Sequence, residues 1–170
     1  MFRVKKNLSP DVQLSYQRGA IAIEMAIVSI VMLLIIAGAI GFGRAYWYAD
    51  ALSKSTRNGA RHLSTWPILD LANMNGTGRD QARTLTKNIA NAANINPLLG
   101  DSNVVVECLD SSFVVVADCG TLVGANPITA NVRVSITAFS INLSEWFPFV
   151  GGQAFGNVDF SPATTMRYMK

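Results

Sequence analysis

What this chain has least of is the equipment of an enzyme. Among its 170 residues there is one histidine, His62, and there are two cysteines, Cys108 and Cys119, which are not in CxxC spacing. That shortage excludes a zinc site or a redox dithiol of the usual spacing. Gly76-Thr77-Gly78 is too short to cradle a phosphate. Glu107 and Asp110 straddle a predicted turn, where two carboxylates solvate the turn rather than act as an acid–base pair. No catalytic residue, metal, cofactor or small-molecule substrate is expected. Charge is also scarce: Asp, Glu, Lys and Arg make up 15% of the chain, and the net +3 is dispersed rather than gathered in one patch.

The scarcity is most complete between Ala20 and Phe42, where Glu24 is the sole ionisable residue. An apolar run of this length is what an α-helix needs to cross a bilayer, about 20 residues. It exceeds the roughly 7–15 residues of a secretory signal's apolar region. A carboxylate at the centre of such a helix costs about 2.5–3.5 kcal/mol, and less near an end, where Glu24 stands. Lys and Arg do not orient the span. Arg3, Lys5, Lys6 and Arg18 precede it, and Arg44, Lys54, Arg57 and Arg61 follow it. The positive-inside rule therefore returns a near tie.

Residues 1–18 are polar, basic and aperiodic, with a turn signal at Ser9-Pro10-Asp11. Gly19 ends this leader, Ala20 begins the apolar run, and Glu24 is the fifth residue after Gly19. That layout is the layout of a prepilin peptidase site, with cleavage between Gly19 and Ala20. A competing site exists at Ala37-Gly38-Ala39, a small-x-small motif of the kind signal peptidase cuts. Otherwise the small residues Ala37, Gly38, Ala39, Gly41 and Gly43 let a second membrane helix approach closely, as the small-xxx-small pairs Ala37 with Gly41 and Ala39 with Gly43.

Past Phe42 the helix is expected to continue. Tyr46-Trp47-Tyr48 suit the membrane interface. Tyr48, Leu52, Thr56, Gly59, Ala60 and Leu63 then recur at helical spacing among polar residues, and no proline intervenes before Pro67. After an apolar turn at Ile68-Leu69-Leu71 and a loop from Asn73, a second helix fits residues 79–94, with Ala82, Leu85, Ile89, Ala92 and Ala93 on one face. β-branched runs follow: 104–108, 113–117 across a turn at Leu109–Ser112, and an alternating segment 130–141. An aromatic stretch, Glu145–Phe149, precedes two short strands near 157–161 and 164–168. The expected fold is α+β, a long N-terminal transmembrane and amphipathic helix packed on a small C-terminal antiparallel sheet. Its expected parts are a basic leader (1–19), a membrane helix (20–43), an amphipathic continuation (44–66) and an α+β domain (67–170).

A Cys108–Cys119 bond would close a small loop, worth about 3 kcal/mol by chain entropy. A tight turn at Leu109–Ser112 would instead set Cys108 opposite Phe113. A bridge needs Cα atoms within about 7 Å, so hairpin and bond compete unless the chain bends back after Ala117.

Three tracts carry a family resemblance: Arg18-Gly19-Ala20 with Glu24, Arg57-Asn58-Gly59-Ala60-Arg61, and Ala163-Thr164-Thr165-Met166-Arg167. Together they resemble the TadE-type minor pilins, or pseudopilins, of the tight-adherence (Flp/Tad) type IV pilus system. One departure is Met25, where the family usually has an aromatic. The resemblance implies cleavage by a prepilin peptidase and a single-pass precursor in the bacterial inner membrane with its C-terminal domain in the periplasm. It also implies a role in assembling an adhesive pilus, with other Tad proteins, pilins and membrane lipid as partners of the N-terminal helix. Cleavage would expose an Ala20 amine, cationic at neutral pH, that the Glu24 of a neighbouring copy can meet. Two other roles stay open. One is an anchored periplasmic adaptor that never enters a filament; the other is a DNA-uptake pseudopilin using the basic row Arg79, Arg83 and Lys87.

Overall fold

The computed structural model describes residues 10–67, 71, 77–117, 119, 122–123, 126–127, 129–142 and 156–169. The apolar turn at Ile68-Leu69, the loop from Asn73 and the aromatic stretch Glu145–Phe149 lie outside these residues, as does the start of the leader. The chain divides into two units, residues 1–42 and 43–170. Helix α1 (Pro10–Ser64) supplies everything described in the first unit and opens the second.

The leader is not aperiodic along its whole length, because α1 begins at Pro10, ahead of the apolar run. A proline suits the first turn of a helix, where its missing N–H has no intrahelical partner to lose. No further proline occurs before Pro67, and the one early glycine, Gly19, costs a helix only about 1 kcal/mol. At the far end, Thr65 N donates to His62 O and Trp66 N to Leu63 O, tightening the last turn before Pro67.

In the second unit the α1 positions with helical spacing all face inward. Leu52, Ala60 and Leu63 are fully buried, with Tyr48, Thr56 and Gly59 beside them, while Lys54, Arg57 and Arg61 are exposed. Helix α2 (Thr77–Ala92) buries Gly78, Ala82, Thr86 and Ala90, a four-residue period of small side chains. This differs from the expected face: Leu85 and Ile89 are half-buried flanks and Ala92 is exposed. Close approach decides the phase. A Cβ on Gly59 would stand 2.0 Å from Thr86 Oγ1 and 3.4 Å from Ala82 O, so α1 and α2 touch where both are smallest.

The main sheet has four strands, β1 (Val104–Leu109), β2 (Val115–Val116), β5 (Asn131–Ile136) and β8 (Ala163–Arg167), in the order β2-β1-β5-β8. All its pairings are antiparallel. Two smaller ladders join β3 (Leu122–Val123) to β4 (Asn126–Pro127), and β6 (Phe139–Asn142) to β7 (Asn157–Phe160). Alternation puts Val104, Val106 and Cys108 of β1, and Val132, Val134 and Ile136 of β5, on the inner face. There they share one core with Leu52, Ala60 and Leu63. Complete burial of each large aliphatic side chain is worth about 1.5–3 kcal/mol. Three of the buried hydroxyls are satisfied locally: Ser55 donates to Leu52 O, Ser64 to Arg61 O and Thr86 to Ala82 O, each at 2.8 Å.

Two strand expectations need correction. The alternating segment 130–141 is two strands rather than one, because Ala138 takes a left-handed φ of 56°. That break resets the alternation, so Phe139 turns into the core, where it is 2% exposed. The turn after β1 is one step later than expected. Phe113 N donates to Asp110 O, Asp110 N to Val114 O, and Cys108 pairs with Val116 rather than Phe113.

Candidate functional site

Gly19, Ala20 and Glu24, the residues of the expected processing motif, all lie inside α1 and are all exposed. The same holds for the large apolar side chains that follow: Ile27, Leu33, Ile35 and Ile40 are each more than half exposed. No other helix among the described residues is long and apolar enough, by length and composition, to cross a membrane. Ser29, a neutral hydroxyl within the run, donates to Met25 O at 2.7 Å, so it needs no outside partner. Of the small residues, Ala37 and Gly38 are half-buried, Gly41 is buried and Gly43 is exposed. A Cβ on Gly19, Gly38 or Gly43 would meet nothing within 4 Å. Among the described residues, no packing contact requires glycine at those three positions.

The other two tracts that carried the resemblance contribute to one core, Ala60 within it and Met166 packed against it. Gly59 and Ala60 are the buried part of Arg57–Arg61, and Ala163–Arg167 is strand β8. One turn before Gly59, the Thr56 hydroxyl lies 3.0 Å from that of Thr164 on β8. The chain end is then tied to the end of α1. Met169 N donates to Ser64 O, and the Tyr168 hydroxyl donates to Trp66 O at 2.6 Å. Burial raises the Tyr168 phenol above its ordinary pKa. The end of α1 and the end of the chain, around these tracts, are therefore a joint of the fold, and Gly19, Ala20 and Glu24 lie on an exposed stretch of helix.

Cys108 and Cys119 are bonded, with Cα atoms 5.4 Å apart. Hairpin and disulfide coexist because β2 is only two residues long, which leaves the chain free to bend back to Cys119. Asp110 holds the turn between them. Its Oδ1 accepts from Ser112 N at 2.8 Å and Val114 N at 2.9 Å, as an Asx turn does. Glu107 faces Arg133 across the β1–β5 ladder and accepts from both its Nε and its Nη2. Neither carboxylate is left to work with the other.

The basic row on α2 is occupied within the chain. Arg79 Nη2 donates to Val106 O at 2.7 Å, and Arg83 Nε donates to Val104 O at 3.3 Å. Arg83 also pairs with Asp80, and Lys87 with Asp101, whose carboxyl is held below its usual range by the Lys87 hydrogen bond and charge. β2 covers β1 only at Cys108 and Leu109, so these two guanidinium groups cover the rest of that edge. Their spacing matches: four helix residues rise about 6 Å, and two strand residues about 6.6–6.8 Å. The sequence showed the row but not its target. His62 stacks on Trp66, ring centroids 5.0 Å apart, consistent with a packed side chain rather than a base.

The family described as TadE-like protein matches this chain over residues 19–61. Among curated proteins and among solved structures, nothing matches.

Proposed function

Since the chain is TadE-like from Gly19 to Arg61, we propose that it is a minor pilin or pseudopilin required to assemble a Tad-type pilus, a structural role rather than a catalytic one. The observation that carries this reading is a coincidence of positions. The matched stretch begins at the residue after which a prepilin peptidase would cut. From there the helix runs apolar and exposed, with Glu24 its one ionisable group as far as Phe42.

The mechanism follows from charge in an apolar setting. Cleavage after Gly19 leaves an Ala20 amine with an ordinary pKa of about 7.7–8.0, largely protonated at neutral pH. As a copy leaves the bilayer and packs among other helices, its Glu24 loses the headgroup water that made the carboxylate tolerable. A neighbour's Ala20 amine restores a partner. A buried charge without one costs several kcal/mol, so pairing fixes the axial register of successive copies. The small residues Ala37, Gly38, Gly41 and Gly43 supply the close contact further along. In this reading the precursor is a single-pass inner-membrane protein with residues 67–170 in the periplasm.

Glu24→Gln tests it. The variant should be processed and membrane-bound like the wild type, yet drop out of sheared surface filaments. Normal incorporation of Glu24→Gln would remove the charge pair from the account, and mature protein beginning anywhere other than Ala20 would remove the cleavage.

A further inference from the structure

The four-stranded sheet ends on β2 at one side and on β8 at the other. In an antiparallel ladder, successive residues turn their N–H and C=O alternately toward the two flanking sides. Two bonds fix that phase on β8. Ile136 N donates to Pro162 O at 3.0 Å, and Tyr168 N donates to Ala130 O at 2.9 Å. The even-numbered residues therefore bond to β5, and Ala163, Thr165 and Arg167 turn their peptide groups away from it. Met169 keeps the phase, and its outward N–H is taken by Ser64 O. Pro162 has no N–H, so the stretch between is bounded at both ends. Ala163, Thr165 and Arg167 are exposed, and among the described residues nothing bonds to their outward peptide groups.

The opposite edge is alike. Asp110 N donates to Val114 O and Cys108 pairs with Val116, so Val115 and Ala117 turn their peptide groups outward. Both are exposed, as are Phe113 and Val114 beside them. The edge of β1 has its two arginines as guards, whereas neither β2 nor β8 carries a proline or a lysine.

We propose that β8 of one copy adds to β2 of a second copy, head to tail, so that the sheet continues from subunit to subunit. Strand direction selects this occupant. Every pairing in the sheet is antiparallel, so for copies side by side in one orientation β8 runs antiparallel to the next copy's β2. Thr165 and Val115 both project from the face opposite the core, so the joined sheet keeps its inner face on one side. With Thr165 opposite Val115 and Ala163 opposite Ala117, each pair exchanges both main-chain bonds. Charge agrees as well. Arg167 makes no ion pair among the described residues, and this register brings it to the hairpin end that carries Asp110 and the exposed Phe113 ring. Pairing β8 with β8 is excluded by α1. Its two-fold axis would stand perpendicular to the sheet and reverse the helix that lies along the inner face. A head-to-tail contact repeats without closing, as a filament requires. The inference rests on the pilin reading above, since strands this short pair weakly alone and need packed helices to raise their effective concentration.

The test is cross-linking of the full chain, made as Val115→Cys with Thr165→Cys in cells that assemble the filament. The native Cys108–Cys119 bond leaves no free thiol to compete. Within one copy the new cysteines are separated by three strand spacings, at least about 14 Å. Between paired copies they are about 5.5 Å apart, within disulfide reach. Oxidised membranes and sheared filaments should therefore show a ladder of dimers and higher multimers that collapses on reduction. Each single variant should stay monomeric, and the two co-expressed should stop at dimers. Ala163→Pro in the double variant removes one outward N–H and no bond within the sheet. It should leave the melting temperature unchanged and slow cross-linking about five-fold, the worth of one main-chain hydrogen bond. Dimers of Thr165→Cys alone would mean that β8 meets β8 and would overturn the proposal, as would a ladder indifferent to Ala163→Pro. Filaments that contain the double variant as monomer only would overturn it too, and would leave the pilin reading standing. A wild-type chain that never enters filaments would sink that reading, and the pairing with it.

Discussion

At Gly19 and Gly38 an added Cβ would stand in open space, whereas at Gly59 it would lie 2.0 Å from Thr86 Oγ1, and at Gly78 2.4 Å from the Trp66 ring. The same residue is found in opposite settings. At Gly59 and Gly78 glycine is required by what the chain packs against itself. At Gly19 and Gly38 nothing stands within 4 Å of the added Cβ, which leaves those positions open to the peptidase and the neighbouring helix of the proposed function. The apolar side chains divide the same way. Leu52 and Leu63 are fully buried, and Leu33 and Ile40 are exposed, although all four lie on α1.

This contrast can be broken most directly at its two ends. Gly19→Trp should abolish processing, seen as a precursor heavier by the leader, with the melting temperature of the globular unit unchanged. A loss of stability there would mean that Gly19 does serve internal packing. Gly59→Leu should do the reverse. Overpacking costs about 1–3 kcal/mol, and the upper end applies here because the Thr86 hydroxyl in the way is itself fully buried. Chemical denaturation should register that loss while the processed mass stays normal.

Smaller effects sharpen the picture of the second unit. Cys108→Ser with Cys119→Ser should cost about 3 kcal/mol, and reduction of the wild type should lower its unfolding free energy by the same amount. Arg79→Ala with Arg83→Ala bares the Val104 and Val106 carbonyls on an open strand edge. A loss of about 1–3 kcal/mol is expected, with self-association visible by light scattering, since an unguarded edge pairs with another chain. A double variant that stays monomeric and fully stable would show the edge to be covered in another way.

The smallest effect concerns pH. Tyr168 has its pKa raised in the fold by burial, and as a neutral phenol it donates to Trp66 O. Its contribution is therefore complete below its unfolded value near 10 and is lost as pH rises through the higher folded value. Tyr168→Phe should lose about 1 kcal/mol at neutral pH and flatten the alkaline limb of the stability curve.

Much of this was legible in residue order alone, for reasons of periodicity. Tyr48, Leu52, Thr56, Gly59, Ala60 and Leu63 recur every three or four residues, and all are buried. Val132, Val134 and Ile136 alternate, and all face inward. What escaped depends on single backbone conformations or on close contact. The left-handed turn at Ala138 that sends Phe139 inward has no glycine to announce it. The small-residue face of α2 outranks Leu85 and Ile89 only because Gly59 lies opposite.

The sequence by itself determined the exposed apolar helix, its single carboxylate and the glycine five places before it, because these depend on spacing along one element. Only the tertiary structure decided where the α2 arginines are spent and how a hairpin and a disulfide share eleven residues of separation. Such groupings arise where separate elements cross, and no local pattern along the chain records a crossing.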